Sequence, residues 1–254
     1  MKVTFLGTGT SQGIPVISCP CQVCHSDDLR NHRLRTSLMV ESDRSRIAID
    51  SGPDFRQQML REKVDRLDAI LFTHAHKDHI AGLDDVRPFN YFMGKPMDVY
   101  ATTEVQEAIQ NEYSYAFDVK NDYPGIPKIK LHTIDLNPFA IGDINFIPVE
   151  VMHYKLPVLG YRFGDFTYIT DASYIAEKEI RKIKGTRYLV LNALRKEKHI
   201  SHFNLQEAVE LAAAIAAEKT WFTHISHQLG LHEEIIKTLP QGMALAYDGL
   251  QVVF

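Results

Sequence analysis

Short apolar runs recur along the whole 254-residue chain, separated by polar segments and by stretches with a helical period. Runs of about four to eight residues are typical of buried β-strands. We therefore predict strands over residues 1–7, 36–41, 46–50, 68–73, 97–101, 144–151, 158–163, 166–170, 187–191, 219–223, 243–247 and 250–254.

The clearest predicted helix covers residues 205–218. Its apolar positions follow the helical period, at Leu205, Ala208, Val209, Ala212, Ile215 and Ala216. Asn204 can cap this helix, and Glu207 stands three residues later, which is close to a capping box. Further helices are predicted over 54–63, 103–113, 175–184 and 232–238.

The order of these elements predicts a mixed α/β protein. Its strands come in groups, which is also typical of α+β folds. Strands in groups with intervening helices suit a four-layer αββα sandwich. The chain can bury a substantial core as a single domain spanning 1–254, although its length alone would also allow two. Residues 114–128, which include Asn121, Pro124 and Gly125, are predicted to form a long loop that could lie over the functional site.

Composition and charge narrow the function classes. The net charge of −4 argues against broad electrostatic binding of nucleic acid, and a local basic patch stays open as the alternative. No apolar run approaches the ~20 residues of a membrane span. A strand is predicted directly from Met1, without the apolar region of a secretory signal. We therefore expect a cytoplasmic protein without a membrane partner.

Three histidines and an aspartate fall within residues 74–79, which read HAHKDH. Imidazole and carboxylate are the side chains that borderline divalent ions prefer. His74 and His76 are two apart, so an extended backbone directs them to the same side. Asp78 and His79 are adjacent, so they diverge and could bind two different ions. This density predicts a metal site at the exit of a buried strand.

The His-x-His-x-Asp-His pattern resembles the signature of the metallo-β-lactamase-fold hydrolases, a large family of dinuclear metal enzymes. That family adds a histidine, a bridging aspartate and a last histidine, each after a later strand, and His153, Asp171 and His224 stand at such positions here. The resemblance implies a first ion held by His74, His76 and His153, a second held by Asp78, His79 and His224, and Asp171 between the two.

Asp50 ends another predicted strand, before Ser51 and Gly52. The family places a carboxylate here, hydrogen-bonded to a ligand histidine, and such partners fix the orientation of the imidazole. A turn aspartate is the alternative interpretation.

All three cysteines stand close together, at Cys19, Cys21 and Cys24. An odd number at this spacing cannot form a complete disulfide framework, and thiolates this close in a reducing compartment more often bind a metal. A tetrahedral zinc site needs a fourth ligand. His25 is adjacent to Cys24 and poorly placed, whereas His227 lies three residues after a predicted ligand and can turn toward a separate zinc. Three free thiols with a surface histidine are the alternative.

The cysteine cluster and the segment Thr-His-Ile-Ser-His at 223–227 resemble the phosphoribosyl cyclic phosphate phosphodiesterase (PhnP-like) subfamily of bacterial phosphonate degradation. In that subfamily the zinc held by three cysteines and one histidine is structural. The resemblance therefore implies a small zinc-binding loop insertion around 13–30. The Gly-rich opening at 6–15 also looks like the subfamily, but alone it is as typical of a tight turn as of a phosphate cradle.

The subfamily places a general acid histidine in the loop before the capped helix. His202 is the better positional match, with a solvent-exposed loop histidine as the alternative, and His199 is predicted to be a surface residue. The remaining histidines are predicted to be structural or exposed, at His25, His32, His132 and His232.

Three arginines could bind a phosphate, because the guanidinium fork matches phosphate oxygens. They are Arg33, Arg35 and Arg87. Lone arginines usually lie on solvated surfaces, and this alternative stays open.

These residues predict a metal-dependent phosphodiesterase that opens a small cyclic or nucleotide-like phosphodiester. Two ions can hold a bridging hydroxide that attacks the phosphorus, and His202 can protonate the leaving sugar oxygen. We predict His202, Asp78 and Asp171 as catalytic residues. The cofactors would be two divalent ions, zinc or manganese with iron or nickel as alternatives, and one structural zinc.

Three other functions stay open. A tRNA 3′-processing nuclease shares the metal motif but carries a long, basic Gly/Pro-rich arm that is not evident here. A thioester or lactone hydrolase uses the same dinuclear chemistry, and a non-catalytic metal-binding module is the alternative of another class. The expected partner is a small phosphodiester and not a nucleic acid, and the resemblance also suggests a homodimer.

Overall fold

A computed structural model describes every residue of the chain except Val119, Asn121 and Asp122. Two β-sheets pack face to face with helices on their outer faces, which confirms the predicted four-layer αββα arrangement. Among the described residues, no helix is long and apolar enough to cross a membrane.

The first part of the chain supplies one sheet. Its strands are β1 (Lys2–Gly7), β2 (Ser37–Glu41), β3 (Arg46–Ile49), β4 (Ala69–Leu71), β5 (Met97–Ala101) and β6 (Ile129–Thr133). The later strands are β7 (Phe139–Ile141), β8 (Ile144–His153), β9 (Leu156–Phe163), β10 (Phe166–Tyr168), β11 (Tyr174–Ile175), β12 (Tyr188–Asn192), β13 (Lys219–Thr223), β14 (Met243–Leu245) and β15 (Gln251–Val253).

The first sheet has the order β15-β1-β2-β3-β4-β5-β6, and β3 to β6 run parallel. The second has the order β11-β8-β9-β10-β12-β13-β14, with β7 paired to β8 and with β10, β12, β13 and β14 parallel. Carboxyl ends of parallel strands meet at one edge of a sheet, where ligand sites concentrate in α/β folds. Each sheet therefore presents such an edge.

The helices are α1 (Phe55–Arg61), α2 (Lys77–Ile80), α3 (Arg87–Met93), α4 (Thr103–Glu112), α5 (Ser114–Phe117), α6 (Glu177–Ile183), α7 (Leu205–Ile215) and α8 (His232–Ile236). Short 3₁₀ helices cover Leu29–Asn31, Leu83–Val86 and His227–Leu229. The predicted capping box of α7 is confirmed, because the Asn204 side chain accepts from the Glu207 N–H and the Glu207 carboxylate accepts from the Asn204 N–H. The helix ends three residues before its predicted end, since Ala216 is left-handed.

Three apolar clusters hold the layers together. Side chains from the inner faces of both sheets, among them Phe5, Phe146 and Tyr161, fill the space between the sheets. Helices α1, α3 and α4 cover the outer face of the first sheet, and α6, α7 and α8 cover the second. Burial on this scale is the main favourable term in folding, and it fixes the two sheet edges relative to each other.

The sequence pattern did not predict strand β6 or helix α3. The half-exposed edge strand β6 alternates apolar residues with Lys130 and His132, and α3 exposes Tyr91 and Phe92, so neither has a clean apolar pattern. The predicted 114–128 loop begins with the short helix α5, and its Asn121 lies outside the described residues.

Candidate metal centre

The predicted ligands lie at the facing edges of the two sheets. Residues 74–79 follow β4, His153 ends β8, and Asp171 and His224 follow β10 and β13. Ligand atoms lie within 4.8 Å of one another in two neighbouring groups, one formed by His74, His76 and His153 and the other by Asp78, His79, Asp171 and His224.

Local backbone geometry directs several of these side chains. Asp50, Asp171 and His224 all have positive φ, at 66°, 56° and 56°. Residues other than glycine rarely adopt this left-handed conformation, although aspartate does so more readily than most. Each residue stands where its strand has just ended, so the turn of the backbone brings the side chain over the sheet edge.

Two glycines allow the turn after β3 to approach helix α2. A Cβ on Gly52 would lie 2.0 Å from the carbonyl oxygen of Asp78, and a Cβ on Gly82 would lie 2.0 Å from the carbonyl oxygen of Gly52. Any side chain at either position would separate the two segments. The contact keeps Asp50 close to the histidines of residues 74–79.

Asp50 organises two of the ligand histidines. Its carboxylate accepts from His79 Nδ1–H at 2.7 Å and from the N–H and hydroxyl of Thr73, each at 2.8 Å. Since the Thr73 hydroxyl donates to Asp50, its oxygen can accept from His74 Nδ1–H at 2.9 Å. In both rings the proton is then on Nδ1 and the lone pair is on Nε2.

Those lone pairs face the centre of the site. The Nε2 atoms of His74 and His79 are buried, and neither has a hydrogen-bond partner among the described residues. Buried polar atoms without partners are rare and costly. A divalent ion between these nitrogens and the nearby carboxylates would satisfy them, so the residues present fit a metal centre.

Asp171 belongs to the second group and also lies close to the first, because its carboxylate is within 4.8 Å of a ring nitrogen of His153. Its Oδ2 is 3.3 Å from His79 Nε2 and 3.2 Å from His224 Nδ1, and it accepts from the Thr170 hydroxyl at 2.6 Å. The other ring nitrogen of His224 contacts the Thr10 hydroxyl at 3.2 Å. The arrangement places Asp171 where a carboxylate could bridge two ions.

The charge states agree with metal ligation. Burial lowers the pKa of His74 well below its ordinary value and lowers that of His224 to about 4, so both rings stay neutral. For His79, burial opposes protonation, but the carboxylates of Asp171 and Asp50 raise its pKa. A divalent cation in the place of that proton would pair with the same carboxylates. Neutral imidazoles with carboxylates form the donor set of zinc and similar ions.

His202 borders this centre. Its side chain is buried, and its Nε2 lies 3.2 Å from Asp171 Oδ1. Its ring centre is 4.5 Å from that of His153 and 4.8 Å from that of His224. The solvent-exposed alternative is therefore wrong for this residue.

The histidine three residues earlier is also part of this region. His199 is half-buried, with its Nδ1 3.2 Å from Nδ1 of His202. Burial and the charge of His202 lower the pKa of His199. The prediction that His199 is a surface residue missed this contact.

The cysteine cluster forms a separate group. Cys19, Cys21, Cys24 and His227 place their ligand atoms within 4.8 Å of one another. His227 Nδ1 lies 3.3 Å from the sulfur atoms of Cys19 and Cys21. His25 is exposed, and its Nδ1 contacts the backbone carbonyl oxygen of Cys21. The hydrogen bond with His227 lowers the pKa of Cys21 to about 6, and burial raises that of Cys24 to about 11. Three sulfurs and one imidazole nitrogen fit a tetrahedral zinc site.

The predicted phosphate arginines are engaged elsewhere. Arg33 is fully buried and donates to Thr8, Ala246 and His232, so the prediction of a phosphate ligand is wrong for it. Arg35 is paired with Asp54, and Arg87 with Asp84.

The sequence pattern did not identify several residues that orient the predicted ligands. Thr10, Thr73 and Ser201 are short hydroxyl residues that contact ligand histidines or their neighbours. Thr73 carried a usable signal, because it is the one polar residue at the exit of an apolar strand. Thr10 lies far along the chain from His224, and Ser201 lies far from His153, so no local pattern indicated these two contacts.

Sequence comparison agrees with this geometry. The sequence model of the beta-lactamase superfamily domain matches residues 45–225. An octanoyltransferase of Porphyromonas gingivalis (strain ATCC BAA-308 / W83) is 40% identical over 256 residues, which cover 100% of this chain and 51% of the relative. The chain spans about half the length of the curated relatives it matches first.

Solved structures extend the comparison. A structure described as a new diphosphatase from the PhnP family superposes with a TM-score of 0.93 at 40% identity, covering 100% of this chain and 97% of that one. Zn(2+)-bound PqqB from Methylobacterium extorquens superposes with a TM-score of 0.82 at 19% identity, covering 100% of both chains. At that identity the second likeness shows a shared fold.

Proposed function

Since this chain belongs to the metallo-β-lactamase-fold hydrolases, in the PhnP family of the beta-lactamase superfamily, we propose that it is a dinuclear metal-dependent phosphodiesterase. One observation carries the proposal. Ligand atoms from both sheets form two adjoining groups that meet at Asp171, and the buried Nε2 atoms of His74 and His79 have no hydrogen-bond partner among the described residues.

The proposed ligand assignment follows the two groups. His74, His76 and His153 would hold one ion, Asp78, His79 and His224 the other, and Asp171 would contact both. When bound, two divalent ions supply Lewis acidity and a water-derived nucleophile at neutral pH. Asp50 and Thr73 fix the two histidine rings so that little reorganisation is needed as charge develops.

His202 is the proposed general acid. Its Nε2 lies on the metal-facing side, 3.2 Å from Asp171 Oδ1. An alkoxide leaving group needs a proton, and a positioned histidine can supply one, which typically contributes ~10²–10⁴-fold. The buried position next to the centre supports this role.

The proposed substrate is a small phosphodiester or diphosphate. The similar PhnP-family structure is described as a diphosphatase, and a cyclic phosphodiester and a diphosphate both present a phosphorus between two ester or anhydride oxygens. The net charge of −4 disfavours a long polyanion such as tRNA. Only about half of the similar octanoyltransferase aligns with this chain, so a thioester serves as a comparison substrate.

The cysteine cluster would hold one structural zinc in the 13–30 insertion of a single domain, and the catalytic ions would be zinc or manganese, with iron or nickel as alternatives. A homodimer is part of the proposal and can be read from the mass in solution.

A substrate panel tests the function. Protein reconstituted with zinc or manganese would be offered a cyclic ribose phosphate, a nucleoside diphosphate ester, bis-p-nitrophenyl phosphate, short RNA ends and an acyl thioester. We expect turnover of the first three classes and loss of nearly all turnover in His74→Asn. His132→Asn is the matched control, because His132 lies on the edge strand β6 and pairs with Asp98. Faster turnover of the thioester or of RNA than of the other substrates would contradict the proposed phosphodiesterase activity.

A further inference from the structure

The β8–β9 hairpin turns directly beside the proposed metal centre. His153 is the last residue of β8, and Tyr154 and Lys155 form the turn. The Tyr154 N–H donates to the Ser173 hydroxyl at 3.0 Å, and Ser173 lies two residues after Asp171. The turn is therefore held next to candidate ligands from both groups.

Tyr154 has an unusual backbone conformation for its size. Its φ of 58° is left-handed, which suits glycine, asparagine or aspartate at a turn and is costly for a bulky residue. The side chain adds little to the core in return, since the residue is 49% exposed. A strained and exposed aromatic residue beside a site indicates a function at the surface.

Two further exposed apolar side chains lie around the same histidine. Leu156 is the cross-strand partner of His153, so both side chains are on one face of the hairpin, and Leu156 is 41% exposed. Ile200 is 67% exposed and precedes Ser201, whose carbonyl oxygen accepts from His153 Nδ1–H at 2.7 Å. We call Tyr154, Leu156 and Ile200 the His153 rim.

Positive charge borders the His153 rim. The Lys155 ammonium lies 5.2 Å from the centre of the Tyr154 ring. Residues 195–200, which read RKEKHI, carry three cations and one carboxylate, and Lys198 stays largely exposed although it lies 3.9 Å from Glu207. Since the whole chain has a net charge of −4, this positive charge is local. Exposed apolar side chains with cations beside them suit a ligand that combines a flat ring with a phosphate.

We propose that the His153 rim is a specificity site for the nucleoside of a nucleotide substrate, with the base stacked on Tyr154 and a phosphate facing the cations beside it. The assignment rests on the proposed function and specifies its substrate class as a nucleoside diphosphate ester. Stacking on an aromatic side chain accepts any base, because every base has a π-face. A cyclic ribose phosphate has no base and would leave the rim exposed.

The products of such a substrate provide the probes. Hydrolysis of a nucleoside diphosphate ester adds water across the P–O–P bridge and releases a nucleoside monophosphate and a second phosphomonoester. Adenosine 5′-monophosphate (AMP) therefore carries the group that the rim would recognise, and ribose 5-phosphate presents the same sugar phosphate without the base.

Calorimetric titration of zinc-loaded protein measures both affinities, and their ratio reports the contribution of the base. We expect the wild type to bind AMP more tightly than ribose 5-phosphate. Tyr154→Asn should lower the ratio roughly tenfold, the order expected for one base–aromatic stack. Asparagine accepts the left-handed backbone, so the turn should keep its shape. Tyr154→Phe keeps the ring and should keep the ratio.

Two further variants make the test decisive. Leu156→Asn leaves the strained turn untouched and should lower the ratio severalfold, so it decides the outcome if Tyr154→Asn does not fold. Tyr91→Asn is the matched control, because Tyr91 is an exposed tyrosine on α3, over the outer face of the first sheet. Its ratio should equal that of the wild type. Circular dichroism and zinc content check the fold and the metal of each variant.

The outcomes separate this assignment from the proposed function. A ratio near one in the wild type, or an unchanged ratio in folded Tyr154→Asn, would overturn the nucleoside site even if the protein hydrolyses diphosphates. Much tighter binding of an RNA trinucleotide than of AMP would overturn it in favour of an RNA ligand. A ratio that depends on Tyr154, in a protein that hydrolyses no phosphodiester or diphosphate, would support the nucleoside site and overturn the proposed function.

Discussion

At the scale of single residues, three of the ligand histidines divide their two nitrogens between the protein and the site. His79 uses Nδ1 to bind Asp50, His74 uses Nδ1 to bind Thr73, and His153 uses Nδ1 to bind a backbone carbonyl. A hydrogen bond on one nitrogen fixes the ring and makes the other nitrogen a better ligand. Metal affinity should therefore depend on residues that never touch the metal.

Asp50→Asn tests this dependence. The amide has one acceptor oxygen where the carboxylate accepts from three donors, so His79 and Thr73 cannot both be satisfied. We expect zinc affinity at the dinuclear centre to fall about 10–100-fold with the fold intact. Competition with a chromogenic chelator measures the affinity, and Asp98→Asn is the control because Asp98 pairs with His132 on the edge strand. Unchanged zinc affinity would contradict the role of Asp50.

His232 provides a pH-dependent prediction. Burial and then the charge of Arg33 lower its pKa to about 4, whereas an unfolded histidine titrates near about 6.5. Between these values the unfolded chain binds more protons, so the free energy of unfolding should fall as the pH decreases from 6.5 to 4. The loss should be about 2 kcal/mol after allowance for solvent screening.

Urea unfolding of chelator-treated wild type and His232→Gln, from pH 7 to pH 4.5, measures this contribution. Glutamine does not titrate, so the stability difference between the two proteins should shrink as the pH falls. His32→Gln, at an exposed histidine, should follow the wild type. A difference that stays constant with pH would show that His232 does not titrate in this window.

At the scale of elements, the two proposed metal sites share one short segment. His224 and His227 lie three residues apart, after β13, and turn to different centres. The loop before β2 supplies the cysteines, and its Gly9 also pairs with Ile225 in a short parallel bridge. The segment that leads into the 13–30 loop therefore supports the position of His224 without contributing to the dinuclear group.

Cys21→Ser separates the two centres. We expect loss of one zinc per chain and destabilisation of the 13–30 loop, because a structural zinc contributes folding energy directly. The dinuclear ligands should stay in place, and activity should fall only modestly. Elemental analysis, thermal unfolding and turnover measure the three effects. Abolished catalysis at unchanged stability would place the cysteines in the active site instead.

At the scale of the whole molecule, the proposed centre joins the two sheets. The first sheet carries the histidines of 74–79 and the second carries His153, Asp171 and His224. The space between the sheets is filled by apolar side chains that do not depend on metal. The metal should therefore add stability to a fold that already exists.

Thermal unfolding in the Cys21→Ser background isolates that addition. Ions that bind only the folded state contribute about 2.7 kcal/mol at 100 times their Kd. For a chain of this size each 1 kcal/mol raises Tm by roughly 2–4 °C, so zinc should raise Tm by at least about 5 °C. The addition of Asp171→Asn to this background should reduce the rise. An equal Tm with and without zinc would contradict the proposal that bound ions stabilise the contact between the two sheets.

The sequence predicted much of this molecule because its signals are local. The HAHKDH run, the exits of apolar strands and the cysteine spacing are each read within a few residues. Orientation was not predictable, because Thr10 meets His224 and Ser201 meets His153 only after distant segments have packed. Arg33 was misassigned for the same reason, since an arginine in sequence does not reveal that it will be buried against His232.

The left-handed backbone at Asp50, Asp171 and His224 has a consequence for protein engineering. Each such residue costs on the order of 1 kcal/mol relative to a relaxed conformation, and glycine would avoid most of that cost. A screen that rewards heat resistance of the metal-free chain should therefore enrich glycine or asparagine at these positions. Such variants would be easier to produce and would have lost side chains that hold the proposed metal centre, so a library built on this scaffold should keep these three codons fixed.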